Sequence, residues 1–508
     1  GGKRKGSFAM YLEPWHADVF DLIELKKNHG KEEMRARDLF YALWINDEFM
    51  ERVENDEDWY LFCPNILKSA GIVLQELIGE DFKEAYNRAI NMNLTHTVVK
   101  ARALWEKMLI SQIETGGPYM GYKDRVNKSS NQKNIGTIQS SNLCIEINQY
   151  SDKEEQAVCN LASIALSRFI HKGKFNYNQF RKVVHVAIRN LDNVIDANYY
   201  PTAETETSNM KHRPIGLGVQ GLADVFAIMK MPFDSPGARA LNKDIFEHMY
   251  FYALEASRSL SIEKGSYQSF EGSPASQGLL QFDLYSDVDG ESLELNPKLD
   301  WEGMRRGIVK DGLRNSLMIA LMPTASTSQI LGNNECFEPF TSNLYTRGTL
   351  SGTYVVSNEH LIRDLEEIGK WNPNIRNQLI KNNGSVLELD IPNDIKERYK
   401  TAFELSMKSV INMAADRQRF VCQAQSMNLF VKDPNFEKLS SMHFYAWKKG
   451  LKTGVYYLRT KAAVNAVKVT LDESPSLVEK IDQNDFKAMI ERGRVAAENG
   501  EDCDACGA

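Results

Sequence analysis

Short apolar stretches with a two-residue rhythm alternate along this chain with longer ones at helical spacing. That alternation restricts it to layered α/β arrangements. Helical spacing is predicted over residues 35–53, where Leu39, Phe40, Leu43, Phe49 and Met50 recur, over 98–114 with Leu104, Met108 and Ile113, and over 178–198. Gly116-Gly117-Pro118 ends the second and Pro201 stops the third, as such residues do at helix C-termini. Strands are predicted at 6–14, 142–147, 317–322, 354–356 and 455–458. An open sheet and an α/β barrel both satisfy this pattern. Residues 266–290, rich in Ser, Gly, Gln and Asp, read as a surface excursion, and the polar end from Glu498 onward as a flexible tail.

Composition narrows the function. The 508 residues carry 61 Lys+Arg against 68 Asp+Glu, a net charge of −7, so no broad cationic face is available for a polynucleotide. The longest apolar run, Leu317 to Met322, is far short of the roughly 18 residues of a membrane span, and a cytoplasmic protein is expected. Seven cysteines, an odd number without framework spacing, favour reduced thiols that can do chemistry.

The segment Ser140-Ser141-Asn142-Leu143-Cys144-Ile145-Glu146-Ile147 is the most informative. If extended, it turns Asn142, Cys144 and Glu146 to one face across about 13 Å, the reach of a nucleoside-sized ligand. An ordinary strand with a solvated polar face has the same alternation. A chain reversal at residues 151–155 would return Cys159 towards Cys144. Zinc is the rival for such thiols, but paired spacing is missing and the nine His are scattered, so no metal site is assigned. Pro323-Thr324-Ala325-Ser326-Thr327 follows an apolar strand and opens a helix, a place where free N–H groups and hydroxyls can meet a phosphate, or where N-cap residues simply gather. Tyr456-Tyr457 reads as strand packing unless electrons must travel. Cys503-Asp504-Ala505-Cys506 has the spacing of an exchangeable dithiol.

Together these pieces resemble the large (alpha) subunit of class Ia ribonucleotide reductases. The resemblance runs over nearly the whole chain: YLEPWH at 11–16, KEEMRARDLFYALW at 31–44, SNLCIEI at 141–147, AVCNLAS at 157–163, HRPIGLGVQGLADVF at 212–226, MPTASTSQILGNNE at 322–335, SMHFYAWKKGLKTGVYYLRT at 441–460, and the terminal CxxC. It implies an incomplete ten-stranded α/β barrel with a central finger loop, plus a C-terminal α/β region. Cys144 would be the radical cysteine that takes the 3′ hydrogen of a ribonucleoside diphosphate, Glu146 the base on the 3′-OH, and Asn142 a substrate ligand. Cys159 would be one of two reducing cysteines, and residues 323–327 would hold the diphosphate. Tyr456 and Tyr457 would relay a radical from a separate, metal-containing small (beta) subunit. Cys503 and Cys506 would re-reduce the active-site disulfide and be regenerated by thioredoxin or glutaredoxin. Gly1, Gly2, Lys3 and Arg4 resemble the end of a specificity loop through which ATP or dNTP effectors act.

The resemblance also implies a division into a barrel portion at 1–280, a C-terminal region at 281–475 and a tail at 476–508. No cofactor is expected on this chain itself. Because it opens at Gly1 without Met, a separate N-terminal large-subunit piece and a homodimer of the complete subunit are expected. A cobalamin-dependent reductase fragment, or a non-catalytic remnant docking on an intact enzyme, are the alternatives.

Overall fold

The computed structural model describes residues 6–288, 293–349 and 352–460. Its first sheet sets the parallel strands Ala9–Leu12, Phe40–Ile45 and Tyr119–Tyr122 side by side, and Thr453–Val455 closes the row antiparallel to the third. Every residue of Phe40–Ile45 is buried, as expected for a parallel strand covered on both faces. This corrects the single helix predicted over 35–53. The run FYALWI is apolar on both faces, so its accidental helical spacing misleads, and the helix itself, Asp47–Asn55, starts only after Asn46, whose side chain accepts the Phe49 N–H at 3.0 Å.

The second helix begins at Ala101 and ends at Thr115, where Gly116 takes a left-handed φ of 80°. Its predicted first turn belongs instead to the strand Thr97–Lys100, paired with Asp58–Leu61. The third helix is Tyr177–Ala197, close to prediction.

Parallel segments form a second group. Leu161–Ala165 pairs with Gly216–Gln220, and the extended stretch 317–322 joins through the bridges Leu217↔Ile319 and Leu321↔Gln425. Close approach explains the glycines here: a Cβ on Gly218 would stand 2.5 Å from the Met322 sulfur and 2.9 Å from the Ala320 carbonyl. The predicted strand at 317–322 is thus extended but held by isolated bridges. The strand predicted at 354–356 lies within Gly352–Ser357, hairpinned with Leu344–Thr349. At 455–458 one strand is replaced by two, Thr453–Val455 and Leu458–Thr460, with Tyr456 and Tyr457 between them. Leu458–Thr460 pairs in parallel with Leu429–Val431.

Residues 266–288 correct the surface reading. Tyr267, Phe270, Phe282, Tyr285 and Val288 are buried, and the short 3-10 helices Ala275–Gln277 and Gln281–Tyr285 carry part of the segment. Their irregular spacing leaves no periodic signal. Buried apolar side chains form one continuous cluster from Trp15 to Leu458. Among the described residues no helix is long and apolar enough to cross a membrane.

Candidate active site

Residues 141–147 do not form the predicted strand. The chain turns at Asn142–Ile145, with the Ile145 N–H on the Asn142 carbonyl at 3.3 Å and Ile145 itself at φ 64°. The Asn142 side-chain oxygen accepts the Ile147 N–H at 3.2 Å, and the Ser141 hydroxyl donates to the Ile147 carbonyl at 2.6 Å. Internal bonds of this kind compete with a sheet ladder, which is why alternation along the sequence fails as a guide here.

Tertiary contacts hang the loop between the two strand groups. From the first, Tyr11 donates its hydroxyl to the Asn142 carbonyl at 2.7 Å. On the other side, the Ala424 N–H reaches the Glu146 carbonyl at 2.8 Å, and the Ser426 hydroxyl lies 2.6 Å from the Cys144 carbonyl and 3.1 Å from Glu146 Oε2. Cys144 is left half-buried at the tip and Glu146 fully buried beside it.

The tyrosines complete the site. Tyr456 is buried and donates its hydroxyl to Cys144 Sγ at 3.5 Å. Tyr457 packs on it with ring centroids 4.5 Å apart. Tyr119 lies against both, at 4.8 and 4.9 Å, and donates its hydroxyl to that of Tyr457 at 2.6 Å. Backbone bonds fix the pair: Tyr456 N–H to the Met427 carbonyl at 2.7 Å, and Leu429 N–H to the Tyr457 carbonyl at 3.1 Å. Phe40, Ala42 and Ile145 close the apolar wall around them.

Burial governs the charges. It raises the Glu146 pKa above the ordinary carboxyl value, while hydrogen bonds from its own backbone, Asn142 and Ser426 hold the rise in check. Cys159 is an exposed residue in irregular chain. Desolvation by the protein around it, and then the charge of Glu146, raise its pKa. Tyr11 is pushed up by burial first, with Glu146 and Cys144 adding to the rise and Ser141 opposing it.

Thr324 opens the helix Ala325–Leu331 without capping it: its hydroxyl oxygen accepts the Cys336 N–H at 2.7 Å rather than an N–H of the first helical turn. Pro323 is half-buried, Thr324 and Ala325 are buried, Ser326 is half-buried and Thr327 is exposed. Gly1, Gly2, Lys3, Arg4, Cys503 and Cys506 lie outside the described residues. Among the described residues no three His, Cys, Asp or Glu side chains gather as metal ligands would. An apolar cavity of about 610 Å³ lies elsewhere, between Leu161–Ala165 and the Tyr177–Ala197 helix, and is lined by none of the predicted site residues.

Sequence reasoning missed Tyr119, Tyr11 and Ser426. Their only signal is local: Tyr119 follows the helix stop at Gly116-Gly117-Pro118, and Tyr11 sits on a predicted strand.

The sequence profile described as the ribonucleotide reductase barrel domain matches residues 1–457. The chain belongs to the ribonucleotide reductase family. Curated relatives agree. The ribonucleoside-diphosphate reductase large subunit of Arabidopsis thaliana is 50% identical over 536 aligned positions, covering 100% of this chain and 64% of its own length. That of Plasmodium falciparum is 54% identical over 93% of this chain and 58% of the relative, and that of Caenorhabditis elegans 53% over 93% and 59%. The chain thus spans about three fifths of the length of these relatives. Among solved structures, the Actinobacillus ureae class Id ribonucleotide reductase alpha subunit superposes with a TM-score of 0.66 at 25% identity, covering 90% of this chain and 71% of that one. In this reductase family chain, the loop at 141–147 stands between strand groups of the barrel domain, in keeping with the finger loop expected from the sequence.

Proposed function

We propose that this chain carries the catalytic chemistry of a ribonucleoside-diphosphate reductase large subunit, converting ribonucleotides to deoxyribonucleotides for DNA synthesis. A radical supplied by a separate, metal-containing small subunit reaches Cys144 through Tyr457 and Tyr456. At the last step the Cys144 S–H hydrogen moves to the Tyr456 phenoxyl oxygen, leaving a thiyl radical. The thiyl takes the ribose 3′ hydrogen, so an S–H bond forms and the C3′–H bond breaks. Glu146 accepts the 3′-OH proton, a task suited to a carboxylate whose pKa burial raises above the ordinary carboxyl value. The 2′-OH takes a proton from one thiol of a cysteine pair that includes Cys159, so the C2′–O bond breaks and water leaves. The other thiol gives its hydrogen to C2′ as the pair, having supplied two electrons, closes to a disulfide; Glu146 returns its proton to O3′, and Cys144 returns its hydrogen to C3′.

Asn142 binds substrate through its carboxamide, and residues 323–327 receive the diphosphate at the start of their helix. Cys503 and Cys506 re-reduce the active-site disulfide by exchange, passing to it electrons that thioredoxin or glutaredoxin supplies. Effector nucleotides act through the loop that ends at Gly1, Gly2, Lys3 and Arg4. The partners are the small subunit, the part of the large subunit that the relatives carry beyond the matched length, and a second large subunit.

The observation that carries this reading is the Tyr456 hydroxyl standing 3.5 Å from the Cys144 thiol within a cluster of three phenols. A thiol that only packed would need no such file. The test is CDP reduction by the chain co-expressed with the remaining segment of a relative, with small subunit and thioredoxin added. Turnover is expected and Cys144→Ala abolishes it; turnover that survives Cys144→Ala overturns the assignment.

A further inference from the structure

Glu338 has no part in the chemistry above, yet it lies on a segment that ties the 323–327 turn to the backbone of Tyr457 through side-chain hydrogen bonds. Its Oε1 accepts both the backbone N–H of Asn428, at 3.0 Å, and the Asn428 side-chain NH₂, at 2.8 Å. With its carboxamide turned in this way, Asn428 presents its oxygen to the Tyr457 N–H at 3.2 Å. The loop bearing Glu338 is itself anchored: Cys336, at φ 38°, gives its N–H to the Thr324 hydroxyl, and the Asn334 side chain donates to the Glu338 carbonyl at 2.8 Å.

We propose that Glu338 is a positioning residue for Tyr457, setting the phenol against Tyr456 and Tyr119 through Asn428. The inference rests on Tyr457 being a radical relay, where small displacements of a redox group matter more than they would in a packing residue. Three observations support it. Glu338 is buried, and burying a carboxylate is costly unless its hydrogen bonds repay the loss of water. Both bonds to its Oε1 come from the one residue whose side chain holds the Tyr457 N–H. Arg459 sets its guanidinium 4.6 Å from the Tyr457 ring centre and acts electrostatically on Glu338, so Tyr457 is held at its backbone by the tether and met at its ring by a cation. Burial raises the Glu338 pKa to about 7, against the opposing pull of Asn428 and Arg459.

The test places 3-fluorotyrosine at position 457 of the full chain and follows its ¹⁹F resonance, a readout that does not depend on turnover. Glu338→Ala is expected to shift and broaden the resonance in a chain that still melts cooperatively. Glu338→Gln, whose amide oxygen can still accept both Asn428 bonds, is expected to restore it. An unmoved resonance in folded Glu338→Ala overturns the proposal, as does a Gln variant displaced as far as the Ala variant. If Glu338→Ala does not fold, Asn428→Ala cuts the same tether from the other side and must move the signal. In the reconstituted reductase, Glu338→Ala should lower kcat by about tenfold or more with KM kept; a loss confined to KM overturns the role. Should the unaltered chain show no CDP reduction at all, the reductase reading fails while the ¹⁹F comparison still decides the role of Glu338.

Discussion

As the base proposed for the 3′-OH, Glu146 would meet two opposing demands, since its site holds it out of water and would still have to let it ionise. Burial lifts its folded pKa above the unfolded value of 4.5. The folded state therefore keeps the proton to higher pH than the unfolded chain, and stability falls as pH rises from about 4.5 through the raised folded pKa. For catalysis the same shift predicts that the acid limb of kcat against pH lies above the ordinary carboxyl range. Replacing Glu146 by Gln should remove that limb and lower kcat by about 10² or more. A limb that persists in the Gln variant would place the base elsewhere. At this scale the sequence is most legible where candidate groups stand close along the chain, as Cys144 and Glu146 or Tyr456 and Tyr457 do, and the fold gathers them. Ser426 and Tyr119 were out of reach because they meet the site across 282 and 338 residues, a separation that only the folded sheet order closes.

Elements were legible where one face is buried and the other wet, as in Tyr177–Ala197, and illegible where both faces are buried, as in Phe40–Ile45. The packing of the Ala101–Thr115 helix on the Phe436–Lys448 helix shows what else burial hides. His443 is fully buried between them, with Nε2 against the Gln112 side-chain oxygen at 2.9 Å and its ring 5.6 Å from that of Trp105. Burial lowers its pKa to about 3 from 6.5. The unfolded chain therefore takes up a proton that the folded chain refuses. This destabilisation is absent above pH 6.5 and grows as pH falls from there towards 3, by about 1.4 kcal/mol per unit. Denaturant unfolding of His443→Gln across that window should show a shallower loss than the unaltered chain, with the two curves converging in slope above pH 7.

For the whole molecule, one joint between helices and strands within the apolar core is polar. Asp192, fully buried in the Tyr177–Ala197 helix, accepts from Arg213 Nε at 2.8 Å and from the Asn315 side chain at 3.2 Å. Arg213 follows the Ala203–His212 helix, and Asn315 leads into the extended chain at 317–322. One carboxylate thus fastens two helices to the second strand group. Asp192→Ala leaves the buried Arg213 with only Asp196 as a carboxylate partner, and should lower unfolding stability by about 3 kcal/mol, as removal of one partner from a buried pair does. Urea titration measures it, and a change below about 1 kcal/mol would show that Asp196 suffices.

The α/β layering was legible at this scale from alternating rhythms. The suspension of the 141–147 loop between the strand groups was not, because its anchors, Tyr11, Ala424 and Ser426, come from distant strands and bridges. Ile145 shows the consequence. A β-branched residue at φ 64° gives up about 1–2 kcal/mol of conformational ease, which a glycine would keep. Its side chain, buried against the tyrosine cluster, is what a glycine would lack. The course of the chain at Cys144 therefore draws on side-chain packing against a backbone preference. In an engineering sense the loop is a latch with hydrogen-bonded hinges at Tyr11, Ala424 and Ser426 and an isoleucine for its catch.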